Sequence, residues 1–168
     1  MITEKNLSCD TQAFSAIAID LLGAGRTLRF TAKGDSMDPL IRDRDTLFLA
    51  AADPSTIKFG DVVFFVNGEG KPLIHRVIKT QKSGKHRWLL IRGDRCNHVD
   101  GYFQSHRVFG QVIAIERAGL QIRADQPVYK FLGRLAAWRS RVFPASPRFF
   151  SFIYQWMKRI PTFKRYLS

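Results

Sequence analysis

Between Thr27 and Asp125 the chain is a succession of short apolar runs. "LRFTAK", "DTLFLAAA", "DVVFFVN", "PLIHRVIKT", "HRWLLIRG" and "VFGQVIAIERA" are rich in Val, Ile, Phe and Leu, and Gly, Asp, Asn and Pro separate them. Branched and aromatic side chains suit a pleated surface, and the separating residues suit turns. The pattern therefore specifies a compact, mainly β unit of many short strands. No alternation of strand and helix occurs, which disfavours a parallel sheet with crossover helices. "NGEGKP" and "KSGK" read as hairpin connections, and "LQIRA" as a last strand.

Different patterns flank this unit. Residues 1–26 form a lead-in whose stretch 10–23, "DTQAFSAIAIDLL" and its glycine, reads as a short helix. Asp10 or Thr11 is placed to cap it, and Gly23 and Gly25 to end it. Residues 126–168 form a basic, aromatic tail. "VYKFLGRLAAWRSRVF" puts Val128, Phe131, Leu132, Leu135 and Trp138 or Val142 near one helical face, and "PRFFSFIYQWMKRI" opens on a proline suited to a first helical turn. Pro144, Pro147 and Pro161 break the tail into pieces. A length of 168 residues with 45% hydrophobic content fits one core and a small appendage.

The net charge of +13 is unevenly spread. The tail holds nine Lys/Arg and no Asp or Glu, so residues 1–125 carry only +4. Eleven of the 21 aromatic residues also lie there. Cys9 and Cys96 are far apart and match no metal-ligand spacing, so reduced thiols, no disulfide and no cofactor or metal are expected. The polar N-terminus is followed by no apolar signal region, and no run reaches the length of a membrane span. A cytoplasmic protein, or one peripheral on a membrane, is expected.

The segment "KGDSMDPL", residues 33–40, packs Gly34, Asp35, Ser36, Met37 and Pro39 into one polar stretch. It reads either as an ordinary turn or as a device that holds one hydroxyl. A hydroxyl becomes a useful nucleophile only beside a base. Of the four histidines, His86 adjoins a Gly/Lys turn, and His98 and His106 fall in polar loops. His75 interrupts an apolar strand, "PLIHRVI", and so is the one most rigidly held; a half-buried structural histidine is the plainer alternative. "IRGDRCNHVDG" offers Asp94 and Asp100 as a carboxylate to orient an imidazole. Both also suit turns.

Four segments in series, "GDSMDPLI", "KFGDVVFF", "LIHRVI" and "IRGDRCNHVD", resemble the catalytic core of the signal-peptidase and LexA-type repressor superfamily of serine endopeptidases. The resemblance covers roughly residues 27–117. It implies a compact signal-peptidase/LexA-like β fold with Ser36 as nucleophile. Its histidine branch, found in endoplasmic-reticulum, archaeal and some spore-former signal peptidases, implies His75 as base. The family's last box implies Asp100 as the third group by spacing, with Asp94 as the second choice. The Ser36 amide, with a neighbouring group near Gly34, would hold the oxyanion. Met37 is expected to be a core or pocket-wall side chain. Arg44 departs from the family's glycine, so a positive φ at that turn would strain it.

What the resemblance implies is a peptidase acting on a precursor peptide or protein. A non-catalytic peptide-binding module and a self-cleaving regulatory relative are the rivals. Only 35 residues precede Ser36; they hold neither the spanning helix of membrane signal peptidases nor room for a repressor's DNA-binding module. Ala24-Gly25 resembles the repressors' self-cleavage pair but lies too near Ser36 to reach it. Residues 127–168 suit either helices packed on the sheet or a contact with an anionic membrane surface. Nucleic-acid binding is not expected, because no motif for it is present.

Overall fold

The computed structural model describes residues 11–142, and the side chains of 13–142. Helix α1 (Thr11–Gly23) opens the chain. Its end is a Schellman turn: Arg26 N–H bonds Leu21 O and Gly25 N–H bonds Leu22 O, with Gly25 at φ +72°. Ala24-Gly25 is thus part of a helix terminus. Eight strands follow: β1 (Leu28–Thr31), β2 (Thr46–Ala51), β3 (Val62–Val66), β4 (Pro72–Ser83), β5 (His86–Arg92), β6 (Gly101–Gln104), β7 (Val108–Arg117) and β8 (Leu120–Arg123). A 3-10 turn, Ser105–Arg107, carries His106 between β6 and β7. Helix α2 (Pro127–Val142) closes the described part. The second tail helix expected after Pro147 lies outside the described residues.

The strands form one antiparallel sheet in the order β1-β2-β7-β3-β4-β5-β6, with β8 also paired to β7. This is the mainly β fold that the short runs specify, with a short N-terminal and a C-terminal helix. At the centre, "VVFFV" in β3 is apolar on both faces because both faces are covered. Phe64 joins Leu22, Leu47, Leu49, Val112 and Ile115 on one side. Val63 and Phe65 join Ile57, Val77, Leu89 and Ile91 on the other. The period of two along a strand assigns those neighbours to opposite cores.

Helix α2 packs with a face that only partly overlaps the expected one, sharing Leu132 with it. Tyr129, Leu132, Gly133, Ala136, Ala137 and Ser140 are buried, whereas Phe131, Trp138 and Val142 are exposed. The reason is what lies beneath. A Cβ on Gly133 would stand 3.0 Å from Arg76 Nη1 and 3.1 Å from Gly60 O. The helix approaches the Gly60 turn and the Arg76 guanidinium closely at Gly133, where no side chain would fit. Among the described residues no helix is long and apolar enough to cross a membrane.

Candidate active site

The Ser36 segment is a loop between β1 and β2, fastened at both ends. Met37 and Ile41 are buried in the larger core, and Met37 also lines the cleft beside Ser36. Asp45 is buried and receives two hydrogen bonds from Arg117, at 2.9 and 2.7 Å, and one from the Arg42 amide at 2.7 Å. Its own carbonyl accepts from Ala32 N–H at 2.8 Å. This lock closes a turn in which Arg44 takes φ +69°, the left-handed conformation in which a glycine is unstrained. Gly34 lies at φ +91°, and its amide donates to Asp43 Oδ1 at 2.9 Å. The Gly34 amide is therefore already engaged.

His75 stands on β4 with its ring buried. Its Nε2 is 3.0 Å from Ser36 Oγ, and its Nδ1 is 2.8 Å from Asp100 Oδ2. In the tautomer that carries its proton on Nδ1, the ring donates to the Asp100 carboxylate and turns the Nε2 lone pair to the serine hydroxyl. Phe65 flanks the ring, with centroids 6.4 Å apart. Asp100 is held in turn by its amide, which donates to Ile91 O at 2.9 Å.

Asp94 lies elsewhere. It faces Arg76, the residue after His75, and accepts from Nε at 2.8 Å and Nη2 at 2.6 Å. Arg76 also donates to Gly60 O at 2.7 Å. Burial alone would disfavour the guanidinium charge, but the Asp94 carboxylate outweighs it and raises the arginine above its ordinary value. Neighbouring residues of a strand point to opposite faces. So the box loop, residues 93–100, meets β4 on both: Asp94 with Arg76 and Asp100 with His75.

Several participants carry no clear mark in the sequence. Gly93 is required by space: a Cβ there would lie 2.9 Å from Ser36 O and 3.0 Å from His75 Nε2. The Arg95 amide donates to that same Ser36 carbonyl at 2.8 Å. Cys96 lines the cleft, and burial, with the Asp100 charge second, pushes its thiol up. The cleft itself measures about 570 Å³ and runs from Ser36 and His75 over Phe14, Phe30, Leu47 and Phe64. His98 reaches its rim.

A mainly β sheet that brings Ser36, His75 and Asp100 together beside a cleft has the fold of the signal-peptidase/LexA-like serine-peptidase clan. Residues 5–113 match the peptidase S24-like family, and the chain belongs to that family. It is similar to the signal peptidase complex catalytic subunit SEC11 of Scheffersomyces stipitis and of Candida albicans, each 32% identical over 97 residues. The corresponding subunit of Debaryomyces hansenii is 34% identical over 98 residues. Each match covers 57% of this chain and 50% of the relative. The chain thus spans about half the length of the curated relatives it matches.

Proposed function

We propose that the protein is a serine endopeptidase of the signal-peptidase type that removes a leader or signal segment from a precursor. The observation that carries this reading is the continuous chain of hydrogen bonds from Asp100 through His75 to Ser36. In it, Ser36 Oγ attacks the scissile carbonyl and its proton passes to His75 Nε2. Asp100 holds the imidazole and offsets the charge it gains. The Ser36 amide receives the oxyanion, since Gly34's is taken by Asp43. The proton then goes to the leaving amine, and a water activated by His75 releases the acyl group from Ser36.

The substrate lies extended in the cleft. Among the described residues, β4 has a strand partner on only one edge over Pro72–His75, because β5 joins it from Arg76 onward. That edge is suited to pair with a peptide backbone. A non-catalytic peptide-binding module, or a self-cleaving regulatory relative, is the second reading. The family match favours keeping it, since it identifies the fold rather than a substrate. Self-cleavage at Ala24-Gly25 would require the end of α1 to unwind.

Cleavage of a panel of leader and signal peptides by wild type, Ser36→Ala and His75→Ala tests the reading. Cuts lost in both variants support it. Peptides that bind without being cut favour the binding module, and a loss in intact mass of the protein alone favours self-cleavage. Residues 127–168 are further proposed to meet an anionic membrane. On α2, Phe131, Trp138 and Val142 are 55%, 52% and 45% exposed, in a helix that also bears Lys130, Arg134 and Arg141. Reduced co-sedimentation of Phe131→Ser/Trp138→Ser with phosphatidylglycerol vesicles is the expected result; unchanged binding counts against it.

A further inference from the structure

Helix α2 lies beyond the residues that match the family, yet it is bonded to the loop that carries Asp100. Arg92, at the end of β5, donates from Nη1 to Ser140 O at 2.7 Å and from Nε to Cys96 O at 2.8 Å. The residue four positions after Ser140 is Pro144, which has no N–H to offer that carbonyl. The Arg92 guanidinium therefore ties α2 and the loop together. From α2 itself, Arg139 Nη2 donates to Asp94 O.

Between Asp94 and Asp100 the loop is held by polar contacts: the Arg95 amide on Ser36 O at 2.8 Å, the Cys96 amide on Gly93 O at 3.1 Å, an exposed Arg95–Asp35 ion pair at 2.8 Å, and the two bonds from Arg92 and Arg139. Arg95, Asn97, His98 and Val99 are exposed and Cys96 is only half-buried, so no core side chain anchors it between Asp94 and Asp100. A segment with few buried contacts is held by its backbone bonds. Two of the carbonyls so held, those of Asp94 and Cys96, are taken by Arg139 and Arg92. We propose that α2 is a positioning element of the site and that Arg92 and Arg139 are its positioning residues. They fix the loop so that Asp100 stays on His75 Nδ1 and the Arg95 amide on Ser36 O. The inference rests on the reading of Ser36, His75 and Asp100 as the catalytic group.

The test uses the full chain labelled with nitrogen-15 histidine. The His75 Nδ1 proton, bonded to a carboxylate, gives a low-field resonance, assigned by its loss in His75→Gln. Arg139→Met keeps the apolar stem and removes the donor. It should broaden or abolish that resonance and lower kcat by about 10- to 100-fold, as misplacement of a catalytic group does. KM should stay within about twofold. Arg139→Lys, which restores a donor, should return kcat to within about threefold of wild type. Arg92→Met should behave as Arg139→Met does; if it fails to fold, Arg139→Met decides. Arg123→Ala, an exposed arginine at the foot of the helix, should change neither readout. A wild-type resonance and kcat in folded Arg139→Met overturn the proposal. If wild type cleaves no peptide, the peptidase reading fails on its own and the resonance alone decides the positioning role.

Discussion

Arg76 and Asp94 form a two-bond ion pair at 2.8 and 2.6 Å in which neither side chain reaches solvent. The next strand residue back, His75, holds Asp100 on the opposite face. Two aspartates of one loop therefore have separable duties. Asp94→Asn leaves a buried guanidinium without its counter-charge and should destabilise the fold by about 3–5 kcal/mol. Asp100→Asn should leave the unfolding midpoint nearly unchanged while lowering kcat by roughly 10⁴-fold through the wrong tautomer. Urea unfolding and peptide cleavage, measured on both variants, check the division. The same loss of stability in each would sink it.

Gly93→Ala places a methyl 2.5 Å from Cys96 Sγ, 2.9 Å from Ser36 O and 3.0 Å from His75 Nε2. The serine carbonyl is backbone and cannot turn aside. Activity should fall by about 100-fold or more, and adding Cys96→Ala should not recover it, because only the thiol contact is relieved. Recovery in the double variant would show that Cys96 Sγ was the obstacle.

The Cys96 thiol is raised by burial, and the Asp100 charge adds to it. Its thiolate should be scarce at pH 8, so alkylation by iodoacetamide should be at least about tenfold slower than that of a small thiol. The rate should climb only above the ordinary thiol value of 9.0. Mass spectrometry of the Cys96 peptide across pH reads this directly; fast labelling at pH 8 would contradict it.

Burial raises the Asp61 carboxyl above its ordinary 3.8, against the opposing pull of the Lys58 amide and of nearby positive charges. A raised folded value means that the native state binds the proton more tightly. The resulting stabilisation is present at low pH and is lost as pH rises from 3.8 through the raised folded value. Asp61→Asn keeps an acceptor for Lys58 N–H and removes the buried charge. Its advantage over wild type in urea unfolding should therefore be larger at pH 7 than at pH 4, and an equal difference at both would refute this.

Arg44, at φ +69°, is an L-residue in a left-handed turn, and its ion pair with Asp43 is exposed and long, 3.6 Å. Such a pair contributes little. Arg44→Gly should stabilise the protein by about 1 kcal/mol, whereas Arg44→Ala should not. Thermal unfolding of the two variants separates backbone strain from loss of the side chain.

Much of the fold is legible because periodicity and punctuation agree. Glycine at position 25 stops α1, and apolar runs between turn residues give seven of the strands. β6 escapes because "GYFQ" is short and the polar loop 93–100, not a tight turn, joins it to its partner β5, where Phe103 lies opposite Leu89. The packed face of α2 escapes because its partner is a guanidinium. Arg76 fills the space that a side chain at position 133 would otherwise take, so Gly133 turns inward. In the site, Ser36 and His75 stand out by context. The choice between Asp94 and Asp100 does not, since it depends on how the box loop passes from one face of the sheet to the other.

The side-by-side placing of His75 and Arg76 makes β4 intolerant of slippage. A shift of one residue would turn the imidazole toward α2 and present a permanent cation to the serine. Pairing runs unbroken from Pro72 to Arg76 against β3, and the irregularity in β4 falls later, between Val77 and Lys79. Slack introduced by insertions or deletions in the outer half of the β4–β5 hairpin can thus be absorbed at that bulge. The far end of the hairpin is free to vary in length and sequence, while the five residues paired with β3 behave as a fixed reading frame.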